Sequence, residues 1–269
     1  MNRLKELFSS GRKALAVFLT AGFPEPGLDE ELALAVLDAG ADILEIGFPF
    51  SDPLADGPMI QRASELSLEN GTTLAKSISL AGRLRQKTEA PLVLMGYANP
   101  VYHMGYPEFA DRVAGAGADG VIVADLPMDE SGPLRDELNG KGVSLIPMAA
   151  PNTSVGRLNE IIKTGSGFLY IVSMTGLTGD AFEAEAPWRK LARIARDEGS
   201  LPVCVGFGIS NGDDAVRAAR EADGVIVGTA VISAIFRGLE DSREAAVENA
   251  VDLVRELASA LEMEYPFKG

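Results

Sequence analysis

The sequence predicts an α/β fold, a closed (β/α)8 TIM barrel with one extra helix at its N-terminus. Three observations predict it. Short apolar runs alternate with helical patterns from one end of the 269-residue chain to the other. The runs are rich in Val, Ile and Leu with little polar alternation, as expected of parallel strands covered by helices. The chain also repeats itself. Asp119-Gly-Val-Ile-Val-Ala-Asp125 is echoed by Asp223-Gly-Val-Ile-Val-Gly-Thr229, and Gly40-Ala-Asp42 and Gly117-Ala-Asp119 lead into strands in the same way. Each is a helix stop followed by a turn into a strand. Repeated βα units suit a barrel better than the rival, a doubly wound open sheet. No linker or low-complexity stretch interrupts the pattern, so residues 1–269 are expected to form a single TIM-barrel domain.

The elements follow in order. Met-Asn-Arg-Leu-Lys-Glu-Leu-Phe at the start reads as a short amphipathic helix and not as a signal peptide. The first strand is expected at 14–20, then a helix at 28–39 and the second strand at 43–47. Helices at 59–69 and 74–86 precede the third strand, 92–97. The single His103 then falls in a stretch read as loop, before a helix at 106–115. Strands at 120–124, 144–148, 168–173, 203–206 and 225–228 complete the eight. Helices at 131–139, 154–164, 187–197 and 213–221 alternate with them, and a last one spans 242–262.

Bulk chemistry excludes several functions. A formal charge of −15 repels nucleic acid and anionic lipid. No apolar run is long enough to span a membrane. One Cys permits no internal disulfide and fits a reducing, cytoplasmic setting. One His rules out a multi-His metal site, and no metal-ligand spacing of Asp, Glu and His stands out. Cys204 lies inside an apolar run and reads as a core thiol. No Lys stands at a strand exit; Lys13 precedes the first strand, at the wrong end for a Schiff-base aldolase. Carboxylates, hydroxyls and backbone amides remain.

The segment from Leu44 to Gly57, Leu-Glu-Ile-Gly-Phe-Pro-Phe-Ser-Asp-Pro-Leu-Ala-Asp-Gly, carries the strongest signal. Glu45 sits between Leu44 and Ile46, and burying an unpaired carboxylate costs several kcal/mol, on the order of 3–5. Such a group is tolerated where it has a task. By strand alternation it shares a face with Ile43 and Gly47. Asp56 precedes a helix start; alone it is equally a second acid/base group or a turn or cap residue. Asp52, in Ser-Asp-Pro, reads first as a turn residue. The last two strands exit through Gly-Phe-Gly-Ile-Ser (206–210) and Val-Gly-Thr-Ala (227–230). Glycine lets backbone amides approach an anion, and barrel phosphate sites commonly form at these two exits. Neither turn has Lys or Arg. Gly179 adds a third candidate amide, within a Gly-hinged stretch from Ser173 to Pro187 that reads as a lid. Tyr170 brings a hydroxyl that needs a partner if buried. Phe18, Ile122, Met148 and Phe207 either hold a flat ring or belong to the ordinary barrel core.

These residues resemble the tryptophan synthase alpha subunit family along nearly the whole chain. Leu44–Gly57 looks like its signature, supported by Phe18-Leu-Thr20, Tyr97-Ala-Asn99, Ala124-Asp-Leu-Pro127, Ser173–Gly179, Gly206–Ser210 and the turn at Gly228. The resemblance implies retro-aldol cleavage of indole-3-glycerol phosphate to indole and glyceraldehyde 3-phosphate, with no metal or organic cofactor in this chain. It implies that Glu45 is the catalytic glutamate and Asp56 the catalytic aspartate. Tyr170 and Thr178 match supporting hydroxyls. Gly179, Gly208, Gly228 and Thr229 match phosphate contacts; Phe18, Ile122 and Phe207 are expected among the substrate-binding residues from their places at the strand exits. A beta subunit carrying pyridoxal phosphate is the implied partner, in an alpha2-beta2 heterotetramer, with Pro49, Asp52, Pro53, Asn99 and Pro127 in the contact region. Thr229 stands where the family usually has Ser. Met174 and Asp180 depart from it in the lid, where Asp180, Glu183 and Glu185 add negative charge near the expected phosphate. Another phosphosugar lyase or isomerase, or a non-catalytic subunit, are the competing readings; the intact Glu45 and Asp56 argue against the second.

Overall fold

In the computed structural model, the described residues are 3–172, 186–198, 201–206 and 208–266. Thr178, Gly179 and Phe207, the lid between Ser173 and Glu185, and with it Met174, Asp180 and Glu183, lie outside them. The strands are β1 (Ala14–Thr20), β2 (Ile43–Gly47), β3 (Leu92–Gly96), β4 (Gly120–Val123), β5 (Ser144–Leu145), β6 (Met148–Ala149), β7 (Leu169–Val172), β8 (Val203–Gly206) and β9 (Gly224–Val227). All pair in parallel, in the order β5-β4-β3-β2-β1-β9-β8-β7-β6.

The fifth predicted strand, 144–148, is in fact two short pieces, β5 and β6. Pro147 offers no N–H, so a continuous ladder cannot run through it. The chain between the pieces still closes the barrel. Ile146 donates its amide to the Val121 carbonyl at 2.9 Å, and the Pro147 carbonyl accepts the Tyr170 amide at 2.9 Å. β5 thus belongs to the β4 edge and β6 to the β7 edge, and eight barrel strands result.

The repeated Asp residues explain how the barrel floor is tied. Asp42, Asp119 and Asp223 accept the amides of Leu15, Leu92 and Val203, each at 2.9 Å. Each also faces a guanidinium: Arg12 on Asp42, Arg85 at 2.9 Å on Asp119, and Arg196 at 3.7 Å on Asp223. Charge and hydrogen-bond partners together make the largely buried Asp42 and Asp119 tolerable. The whole set lies at the N-terminal ends of the strands, opposite the end where barrel sites form. The extra helix α1 (Arg3–Ser9) packs there too, with Leu4 fully buried.

The other helices are α2 (Leu28–Asp38), α3 (Pro58–Glu69), α4 (Leu74–Arg85), α5 (Ala98–Met104), α6 (Tyr106–Gly115), α7 (Gly132–Asn139), α8 (Val155–Thr164), α9 (Pro187–Glu198), α10 (Gly212–Ala219), α11 (Thr229–Leu239) and α12 (Arg243–Glu264). Helix α5 corrects the sequence reading, because His103 lies in it and not in a loop. Pro100 masked the helix in the sequence, yet it stands in the first turn, where the backbone N–H has no intrahelical partner to lose. Asp125 supports the start by accepting the Ala98 amide at 2.7 Å.

Strand register fixes what faces inward. Phe18 is level with Glu45, Glu45 with Val93, and Tyr170 with Cys204. One residue pair further along, Gly47 is level with Met95 and Met95 with Ile122. The apolar core is therefore interrupted toward its C-terminal end by the Glu45 carboxylate and the Tyr170 phenol.

Candidate active site

Glu45 is completely buried on β2. Neither Oε1 nor Oε2 has a hydrogen-bond partner among the described residues. Burial alone pushes its carboxyl group up to about 8. The protonated form thus predominates at neutral pH, and a carboxyl in this range can both give and accept a proton. The Leu44–Ile46 run produces this directly: β2 is buried on both faces, so alternation turns Glu45 inward without giving it solvent.

Asp56 sits in the loop after β2, just before α3, and is half-buried. Its backbone is braced by its own amide on the Pro53 carbonyl at 3.0 Å and by the Gln61 side chain on its carbonyl at 2.9 Å. Its Oδ2 accepts the Tyr97 hydroxyl at 2.8 Å. Burial raises its carboxyl group above the ordinary range, and the Tyr97 hydrogen bond opposes that rise.

Both carboxylates line one recess at the C-terminal end of the barrel, with Phe18, Met95, Tyr170, Gly208, Gly228 and Thr229. Two glycines make room for its rings. A Cβ on Gly47 would lie 2.4 Å from the Phe18 ring, and one on Gly206 would lie 2.3 Å from the Tyr170 hydroxyl oxygen. Burial, reinforced by Glu45 and Asp56, holds the Tyr170 phenol well above its ordinary value, so it stays protonated. Gly208 adopts φ +82°, a conformation that favours glycine. Gly228 is the N-cap of α11 and Thr229 its first residue. The first amides of α11 have no intrahelical acceptors and, with the helix dipole, leave a corner suited to an anion. A wider cavity of about 1030 Å³ adjoins the recess, shares Asp56, Gly208 and Thr229 with it, and is lined further by Pro127 and Met148.

Not every expected residue reaches this site. Ile122 faces inward but is fully buried; Met95, level with it on β3, lines the recess instead. Pro49 is buried and supports the loop rather than presenting a surface. Asp52, Asn99 and Pro127 are exposed, and Pro53 is half-buried. Asp52 accepts the Ser51 hydroxyl at 2.6 Å, as a turn residue does. Sequence reasoning missed Tyr97, whose link to Asp56 spans 41 positions. Leu54 and Tyr102, not singled out in the sequence, are large apolar groups left 92% and 73% exposed. An apolar residue inside a polar, Pro-punctuated loop was the available signal for Leu54.

The sequence model of the tryptophan synthase alpha chain matches residues 4–262. The chain belongs to this family. It is 45% identical to the tryptophan synthase alpha chain of Chloroflexus aggregans over 267 residues, which is 97% of this chain and 99% of that one. It is 42% identical to that of Methylococcus capsulatus, covering 97% of this chain and all of the relative. The crystal structure of tryptophan synthase subunit alpha from Legionella pneumophila superposes with a TM-score of 0.89 at 33% identity, covering 98% of this chain and 99% of that one. The tryptophan synthase alpha chain family are lyases of tryptophan biosynthesis. Their reaction is retro-aldol cleavage of indole-3-glycerol phosphate. As an alpha chain, this one belongs to a partnership with a beta subunit. No helix among the described residues is long and apolar enough to cross a membrane.

Proposed function

We propose that Glu45 and Asp56 carry the cleavage of indole-3-glycerol phosphate to indole and glyceraldehyde 3-phosphate in this chain. The observation that carries the reading is a fully buried, unpartnered Glu45 sharing one recess with Asp56 and the Gly208–Gly228–Thr229 corner. Protonated Glu45 delivers its proton to C3 of the indole ring, leaving positive charge at the ring N–H. Ionised Asp56 stabilises that charge. The Glu45 carboxylate then takes the proton of the hydroxyl on the carbon attached to C3. The carbon–carbon bond breaks, its electron pair returns to the ring, and the hydroxyl becomes the aldehyde. The proton count closes, with Glu45 protonated again.

Tyr170 supports the site as a neutral hydroxyl against the ring. Phe18 flanks the ring site, and Ile122 backs it from the core. Backbone amides at Gly208, Gly228 and Thr229 hold the phosphate, so the substrate is fixed at its tail while the ring reacts. Gly179 and Thr178 are assigned the lid side of the same substrate, and Phe207 its ring. Thr229 keeps the hydroxyl that Ser provides elsewhere in the family.

The chain acts as one domain, works in the cytoplasm, and itself binds no organic cofactor. Pyridoxal phosphate belongs to the beta subunit, in an alpha2-beta2 assembly. The docking face is the rim carrying Asp52, Pro53, Leu54, Asn99, Tyr102 and Pro127, with Pro49 beneath it. Incubation with indole-3-glycerol phosphate is expected to release indole, and Glu45→Gln to lower turnover by about 10²-fold or more. Near-normal turnover in that variant would remove Glu45 from the mechanism.

A further inference from the structure

We infer that Tyr97 is a positioning residue for this reaction, its phenol holding the Asp56 carboxylate in place from outside the recess. The inference rests on the role given to Asp56 above. Tyr97 is buried at the exit of β3, where it is the N-cap of α5. Its hydroxyl makes two hydrogen bonds into the Asp56 loop. It donates to Asp56 Oδ2 at 2.8 Å and accepts the Ala55 amide at 3.1 Å. A phenol has one proton and Ala55 can only donate, so the Tyr97 proton is directed at the carboxylate. The ring is held in turn by Phe50, with centroids 5.4 Å apart. The Asp56 loop is short, punctuated by Pro and Gly, and exposed at Leu54. Without Tyr97, its side chain would be free to rotate out of the recess.

Among the described residues, the charged groups that act on this pair are acidic. Glu45 and Tyr170 lie with Asp56 on the recess, and Asp125 acts on Tyr97 from the β4 exit. A cation behind Asp56 would favour its ionised form by charge; here a neutral hydroxyl favours it by hydrogen bonding, against the larger effect of burial. Burial and the Asp56 charge push the Tyr97 phenol far up, so it remains a donor at every pH the protein meets. Removing it leaves burial of Asp56 unopposed, and the aspartate then binds its proton more tightly.

The test is Tyr97→Phe in the full-length chain, which deletes one oxygen and keeps the ring. Turnover of indole-3-glycerol phosphate is expected to fall about tenfold or more, with KM changed less than about threefold. In ¹³C-Asp-labelled protein the Asp56 carboxyl resonance, assigned by its absence in Asp56→Asn, is expected to titrate about one pH unit higher than in the wild type. A purely structural loss would lower activity without moving that midpoint. An unmoved Asp56 titration in folded Tyr97→Phe, or wild-type turnover, overturns the inference. Asp56→Asn separates the two layers: wild-type turnover in that variant removes the role of Asp56 itself, whereas an inactive Asp56→Asn beside an unaffected Tyr97→Phe removes only Tyr97.

Discussion

Glu45→Gln is expected to stabilise the protein at alkaline pH while it lowers turnover. The glutamate is fully buried without a hydrogen-bond partner among the described residues, and its carboxyl group is pushed from 4.5 to about 8. The folded state therefore binds this proton more tightly than the unfolded chain does. Such a raised carboxyl costs nothing below about pH 4.5. The cost grows as pH rises between 4.5 and about 8, and levels off above. At about 1.4 kcal/mol per pH unit, the full penalty is about 5 kcal/mol, with about 1 kcal/mol already present at pH 5. Gln has the same shape and no proton to lose, so it escapes the penalty. Denaturant unfolding of both proteins at pH 5 and about pH 9 should show the advantage of Glu45→Gln growing by several kcal/mol, about 3–4, with rising pH. An advantage that is the same at both pH values would mean that Glu45 is solvated or paired in solution. Glu45 would then not be a carboxyl held protonated by burial.

Three other perturbations follow from the packing. Gly206→Ala places a Cβ 2.3 Å from the Tyr170 hydroxyl; it is expected to cost about 1–3 kcal/mol and to lower kcat, and unchanged melting and turnover would show that Tyr170 is not wedged there. Asp119→Ala strips the Leu92 amide of its acceptor and leaves Arg85 and Arg3 facing no carboxylate there. A loss of about 3 kcal/mol is expected in urea unfolding, with kcat retained at temperatures where the variant is folded, because Asp119 lies at the far end of the barrel. Leu54→Asp changes a side chain that is 92% exposed. The free chain should keep its stability within about 0.5 kcal/mol, while affinity for a beta subunit, measured by calorimetry, drops by about tenfold or more; undiminished binding would move the docking face elsewhere.

Much of this fold was legible in the sequence because strand period and helix period are local signals. The runs at 14–20, 43–47 and 203–206 coincide with β1, β2 and β8. What escaped is what local patterns do not encode. Pro147 divides a run that looks continuous in composition, because the ladder needs its missing N–H. Pro100 hides α5, because a first-turn proline and a helix breaker look alike until the start of the helix is known. Glu45 stood out because one carboxylate in an apolar run is locally anomalous. Asp56 by itself was balanced between an acid/base group and a turn residue, because the same residue caps turns throughout proteins. Its distinction comes from Tyr97, brought to it only by the closure of the barrel. The repeated Asp42, Asp119 and Asp223 were visible as a pattern, but their shared work of accepting an amide from the neighbouring strand is a tertiary fact.

The pH dependence of indole release is the sharpest check on Glu45 as the proton carrier, since the first step needs a proton there. With saturating indole-3-glycerol phosphate, kcat is expected to fall on the alkaline side with an apparent pKa near that of the buried carboxyl, about 8. A rate that stays flat well beyond that pH, with Glu45→Gln turning over as fast as the wild type, would contradict it.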